Sequence, residues 1–345
     1  MGADITAALR LERLDRYSYL ARPDALWRPA GSRAVYGGQV FGLAMLAAHQ
    51  TLGGTSATES ERLLAREELP LHSAHAMFLL PGRADMPILY SVDPIRNGKS
   101  FTTRSVKAVQ DGQCIFTATM SFHRRETSVS HSVPMPDVPP PDALPSTEQH
   151  LETLLADGAL SESQRRLVDL AMRMQQPMPL DVRIVDGLPN PFDETPREAR
   201  QLAWIRAKLP DREQTVQVES CGALASAAVG APADDLAGPG SYMHRCIAAF
   251  ASDWTLCLAS LRPHGLSMLS PRLRMLTSID HSMWYHRPFD ATQWMLYETD
   301  SPVATGGRSL NHGRLFDAQG NLCVSVSQEA LVRADPPGSE AADRR

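Results

Sequence analysis

Residues 246–265, CIAAFASDWTLCLASLRPHG, and residues 273–289, LRMLTSIDHSMWYHRPF, decide how this chain is read. The first piece is apolar on almost every side, so the helix expected over 245–261 belongs in a core. One acid, Asp253, is set inside it. A carboxylate there costs several kcal/mol unless something hydrogen-bonds it. The second piece reads as a strand able to supply that partner. Strict alternation puts Ser278, Asp280 and Ser282 on one face and Thr277, Ile279 and His281 on the other. A buried acid beside hydroxyls is either a satisfied structural group or the centre of an active site.

The same pattern occurs earlier in the chain. Residues 37–54, GGQVFGLAMLAAHQTLGG, form an apolar run with glycines at both ends, the punctuation of a buried helix. LHSAHAMFLLPG (71–82) follows as a strand. Residues 88–125 read as three strands turning at Asn97-Gly98 and Asp111-Gly112. After the second helix come the strand at 273–289, then QWMLYETDSPVATGGRSLNHGRLF (293–316) and NLCVSVSQEALVR (321–333). The strands that end near Pro81 and Pro288 set the two halves 207 positions apart. A repeat that long means duplicated domains. A helix wrapped by a long antiparallel sheet explains why both helices are too apolar for a surface.

Between the halves, VPMPDVPPPDALP (133–145) cannot build a strand ladder. A polar helical stretch follows it. The expected division is an N-terminal domain over 1–125, a proline-rich linker with a helix over 126–177, and a C-terminal domain over 178–335. A small-residue insertion falls at 208–235, and a disordered tail at 336–345.

The halves are not equivalent. In the last strand of the second half, Leu322, Val324, Val326, Gln328, Ala330 and Val332 share one side, so an amide sits in a core-facing stripe. The matching stripe of the first half, Cys114, Phe116, Ala118, Met120 and Phe122, has no amide. The first helix has no acid.

Bulk properties narrow the function classes. The chain has 345 residues, 43% hydrophobic and 21% charged, with net charge −5. That balance lacks the basic excess that nucleic acid or an anionic membrane favours. Cys114, Cys221, Cys246, Cys257 and Cys323 are scattered and odd in number, without CxxC or zinc spacing. They read as reduced core thiols, and a cytoplasmic location is expected. The start lacks the basic-then-apolar order of a signal peptide, and no apolar run approaches a membrane span of about 20 residues. Met1-Gly2 with Thr6 matches a myristoylation pattern but lacks a second membrane signal.

YGGQVFGLAMLAAHQT, LHSAHAMFLLPG and NGKSFTTRSVKAVQDGQCIFTATMSF resemble the first half of type II acyl-CoA thioesterases. FASDWTLCLASLRPHG, SIDHSMWYHRPF and the run WMLYETDSPVATGGRSLNHGRLFDAQGNLCVSVSQEALVR resemble the second. The resemblance implies an α+β double hot-dog fold: two tandem domains, each a long central helix in a curled antiparallel sheet. It also implies hydrolysis of acyl-CoA to fatty acid and CoA without a cofactor, and a homo-oligomer. The family's catalytic Asp, Thr or Ser, and Gln fall on Asp253, Ser278 and Gln328. Asp253 and Gln328 already stand out by burial and parity; Ser278 comes mainly from the resemblance. Two departures are visible. About 25 extra residues near 208–235 precede the second helix. Ser278 replaces the commoner Thr, which keeps the hydroxyl and drops a methyl.

A thioester needs an activated water and a donor for the oxyanion. Asp253 is expected to take the proton while Ser278 and Gln328 hold the water. Backbone N–H groups at the start of the second helix, or near Gly37-Gly38-Gln39, are expected to meet the oxyanion. No G-x-S-x-G elbow is present, and the cysteines read as inert. His72, His75, His281 and His286 are read as structural or interfacial; His72 and His75 are expected on opposite faces, and Asp280 and His281 to point apart. Arg96, Lys99 and Arg104 read as a solvated edge, with CoA phosphates as the other use. Two rival functions are an enoyl-CoA hydratase and a non-catalytic acyl-CoA binder.

Overall fold

The computed structural model describes residues 5–29, 32–52, 68–156, 158, 160–173, 178–187, 190, 192–209, 228–230 and 241–336. A short helix, α1 (Ile5–Ala8), and two four-residue strands, β1 (Arg10–Arg13) and β2 (Ser18–Ala21), precede α2 (Gly37–Gln50). Next come β3 (Leu71–Phe78), β4 (Ile88–Asn97), β5 (Phe101–Gln110) and β6 (Gln113–His123). Two helices follow, α3 (Thr147–Ala156) and α4 (Glu162–Arg173). The second half contains β7 (Leu180–Ile184), β8 (Arg200–Ala207), β9 (Ala228–Gly230) and α5 (Tyr242–Thr255). A 3-10 stretch, Leu256–His264, extends α5. The chain then forms β10 (Leu273–Ser278), β11 (Asp280–Tyr285), β12 (Met295–Thr305), β13 (Arg308–Phe316) and β14 (Leu322–Ala334).

One antiparallel sheet carries both halves, in the order β7-β8-β12-β13-β14-β11-β3-β6-β5-β4-β2-β1-β9, with β10 also on β14. The seam is the β3–β11 pair, where His75 opposes Ser282 and Ala74 opposes Met283. This is a double hot-dog fold. Its core is continuous: Phe41, Met45 and Phe116 of the first half pack in one cluster with Ile247, Phe250 and Val326 of the second.

The tight turns follow their sequence signals. Asp111 and Gly112 both have positive φ, 48° and 70°, as a two-residue primed hairpin requires. Other features depart from expectation. In β2, Tyr19 and Ala21 point inward in alternation with Ser18 and Leu20, whereas β1 buries only Leu11. Of the expected insertion, residues 228–230 form β9 on β1, with Val229 opposite Leu11; residues 210–227 and 231–235, and Cys221, lie outside the described residues. The register of β3 shifts between Leu71 and Ser73. That bulge turns His72 and His75 to the same outer face, against the expected parity. His72 reaches Ser121 at 2.8 Å and His75 reaches Ser282 at 3.0 Å.

Arg104 corrects another expectation. It is not a solvated charge but 1% exposed, on the inward side of β5 with Val106 and Ala108. Its guanidinium donates to Thr51 Oγ1 (2.8 Å), Asn97 Oδ1 (2.7 Å) and the carbonyl oxygens of Thr51, Arg96 and Thr103. It ties the C-cap of α2 to the β4–β5 hairpin. Burial pushes it down to about 10, with no carboxylate among these acceptors. Arg104→Met leaves the buried Thr51 hydroxyl and carbonyl without their Arg104 donors, so we expect a loss of about 3 kcal/mol in urea unfolding.

The two helices touch along glycines. A Cβ on Gly38 would lie 2.6 Å from the Phe250 carbonyl oxygen, and one on Gly42 2.9 Å from that of Cys246. Only glycine permits this backbone approach. It brings the first turn of α2 against the last turn of α5.

Candidate active site

That crossing delivers Asp253, whose side chain is 6% exposed. Ser241 caps the far end of α5, accepting from the Met243 N–H. Asp253 lies in the last turn, where the helix dipole disfavours an anion. The compensating donors come from three other elements. Ser278 Oγ, at the end of β10, donates to Asp253 Oδ1 at 3.0 Å. Gln328 Nε2, on β14, donates to the same oxygen at 2.8 Å and also contacts Ser278 Oγ. The Gly38 N–H, in the first turn of α2, donates to Oδ2 at 2.8 Å. The positive end of one helix thus faces a carboxylate carried at the negative end of the other.

Gly37 makes room for this. A Cβ there would stand 2.9 Å from Asp253 Oδ2 and 3.1 Å from the Phe78 ring. Tyrosines hold the backbone of α5 on either side: Tyr36 Oη donates to the Phe250 carbonyl (2.8 Å) and Tyr297 Oη to that of Ser252 (2.9 Å). Gln39, fully buried, binds the N-terminal segment through the carbonyls of Ala8 and Ala25 and the Trp27 N–H.

The three residues singled out in the sequence, Asp253, Ser278 and Gln328, therefore meet in one hydrogen-bonded group. Of the two expected sources of backbone N–H groups, the first turn of α2 faces the carboxylate. The start of α5 lies at the opposite end of its helix. Cys257, one turn beyond Asp253, is buried, which pushes its thiol far up, and the Asp253 charge pushes it further. It is no nucleophile.

His281 is the residue that sequence reasoning misplaced. Ser278 opposes Ala330 in the β10–β14 pair, while Ser282 opposes Ser327 in the β11–β14 pair. The sum of partner numbers rises by one, so Ile279 and Asp280 share one position opposite Glu329: a bulge. The Ile279 N–H donates to the Glu329 carbonyl, and the Glu329 N–H to Asp280 Oδ1. Parity flips there, and His281 points inward with Ser278. It is fully buried, with Nε2 3.0 Å from Ser252 Oγ, Nδ1 3.9 Å from Asp253 Oδ1, and the ring edge on Phe41. Burial pushes its imidazole down to about 4, against a smaller upward pull from Asp253. His286 faces outward to Ser325 (2.8 Å), and His72 and His75 likewise bind serines away from the helices. Asp280 and His281 point apart, as alternation requires.

Residues 225–331 match a family model described as acyl-CoA thioesterase, and residues 24–123 one described as the acyl-CoA thioesterase N-terminal domain. The chain is 34% identical to acyl-coenzyme A thioesterase 8 of Mus musculus over 338 residues, covering 98% of this chain and 91% of that protein. It is 31% identical to acyl-CoA thioesterase 2 of Haemophilus influenzae, covering 94% and 95%. Among solved structures it resembles an acyl-CoA thioesterase II, TesB2, from Mycobacterium marinum, with a TM-score of 0.64 at 30% identity, covering 97% of this chain and 99% of that one.

Proposed function

We propose, from the premise that this chain belongs to the acyl-CoA thioesterase family and hydrolyses acyl-CoA thioesters to free acid and CoA, that Asp253 is the base of that hydrolysis. The supporting observation is the convergence of Ser278 Oγ, Gln328 Nε2 and the Gly38 N–H on one buried carboxylate. These donors orient both carboxylate oxygens of Asp253 in a site nearly closed to solvent. Asp253 takes a proton from water as the oxygen attacks the thioester carbonyl. The tetrahedral intermediate then collapses with cleavage of the C–S bond. The proton returns to the departing thiolate, giving acid and CoA thiol. Ser278 and Gln328 fix the carboxylate rotamer and share its hydrogen bonds with the water. On this reading the positive N-terminus of α2, whose Gly38 N–H already serves Asp253, supplies the field that stabilises the oxyanion.

Release of CoA thiol from palmitoyl-CoA, read with a thiol-reactive dye, tests the reaction class. A hydratase changes the acyl absorbance without releasing thiol, and a binder does neither. For the site, Ser278→Ala removes one hydrogen bond to a charged group, worth about 1.5–3 kcal/mol. We expect kcat about tenfold lower or more, with Ser278→Thr within about threefold of the parent. Equal kcat for Ser278→Ala and the parent would remove Ser278 from the site.

A further inference from the structure

Two atoms beside Asp253 take no part in the hydrogen bonding described so far. His281 Nδ1 and Gln328 Oε1 are both buried, and neither has a hydrogen-bond partner among the described residues. Their side chains are neighbours across β11 and β14, one position along from the Ser282–Ser327 pair, and both are fully buried. A buried polar group left unpaired is costly, so each such atom in a native fold calls for an occupant.

The tautomer of His281 follows from its surroundings. Ser252 Oγ donates to the Ala249 carbonyl at 3.2 Å. With the hydroxyl hydrogen directed to the Ala249 carbonyl or to Met283 Sδ (3.7 Å), Ser252 Oγ accepts from His281 Nε2 at 3.0 Å, and we assign the ring proton to Nε2 on that basis. Nδ1 is left with its lone pair, 3.9 Å from Asp253 Oδ1. Two acceptors at that separation cannot bond each other. A molecule with two O–H donors satisfies both with hydrogen bonds of ordinary length.

Resting on the assignment of Asp253 as the base, we infer that His281 is a catalytic residue of the same reaction, its Nδ1 accepting the second O–H of the attacking water. No proton moves to His281. One O–H of the water points to Asp253, the other to Nδ1, and the remaining lone pair is directed at the thioester carbon. Fixing both O–H bonds leaves the nucleophile one productive orientation. A neutral ring suits this use, because an imidazolium would offer Nδ1 as a donor and compete with the water for Asp253.

The two nitrogens can be tested separately. In His281→Gln the amide reaches toward the Nε2 position and Ser252, and the Nδ1 acceptor is lost. In His281→Asn an amide remains near the Nδ1 position, and the Ser252 bond is lost. We expect His281→Gln to lower kcat tenfold to a hundredfold with KM within about twofold, and His281→Asn to retain several times more kcat than His281→Gln. Nitrogen NMR of the histidine-labelled parent enzyme is expected to show His281 protonated on Nε2 only, a readout that needs no folded variant. Parent-like kcat in His281→Gln, or a ring protonated on Nδ1, overturns the assignment. Asp253→Asn is run in parallel: if it loses turnover while His281→Gln keeps it, the base stands and His281 falls. If Asp253→Asn keeps turnover, the base itself is wrong.

Discussion

We expect Asp253→Asn to lower kcat at least a hundredfold while the protein stays folded. The loss follows from chemistry: an amide cannot accept the proton that the water must lose, and general-base assistance contributes about 10²–10⁴ in rate. The fold survives because two effects on stability oppose each other. The amide has one acceptor oxygen where the carboxylate has two, so it cannot serve both the Ser278–Gln328 pair and the Gly38 N–H. One donor is then left facing an NH2 group, at about 1–3 kcal/mol. Against this, a charge is removed from a nearly closed site, which is favourable. Circular dichroism melting is expected to shift by a few degrees at most, and thiol release under saturating acyl-CoA measures the rate. Turnover within fivefold of the parent would mean that the carboxylate is structural.

Gly38→Ala damages both stability and catalysis. The new methyl would lie 2.6 Å from the Phe250 carbonyl oxygen and 2.8 Å from the Tyr36 ring. The first neighbour is helix backbone and cannot rotate away. Relief requires α2 and α5 to separate by a few tenths of an ångström or more, and overpacking of this kind costs about 1–3 kcal/mol. We expect a loss near 3 kcal/mol in urea unfolding. Separation also lengthens the 2.8 Å bond from the Gly38 N–H to Asp253, so kcat falls about tenfold in the molecules that remain folded. Parent-like stability and turnover together would show that the helices do not meet as described.

The site was legible where a side chain broke a pattern. Asp253 interrupts an apolar helix and Gln328 an apolar stripe, and burial makes each conspicuous. Ser278 has no such contrast, since a hydroxyl in a strand is ordinary; it needed the family resemblance. His281 was placed on the wrong face because a bulge adds one residue and period-two reasoning carries no warning of it. The available signal was Asp280, a poor strand former in mid-strand, whose carboxylate takes the Glu329 N–H that the bulge presents. Arg104 was within reach of alternation: it shares parity with Val106 and Ala108, and a charge on that stripe must be buried and satisfied. The contribution of Gly38 could not be read at all, because a backbone N–H has no letter of its own.

The Gly38–Asp253 bond joins a donor from one repeat to an acid from the other. It bears on how the two copies could drift apart after duplication. The helix of the first repeat carries no acid, yet its glycine start is tied to the carboxylate of the second. Substitution is therefore expected to be poorly tolerated at the first repeat's glycines, where an added Cβ would meet α5. On the proposed assignment, the reaction centre draws on both repeats through groups that are not interchangeable.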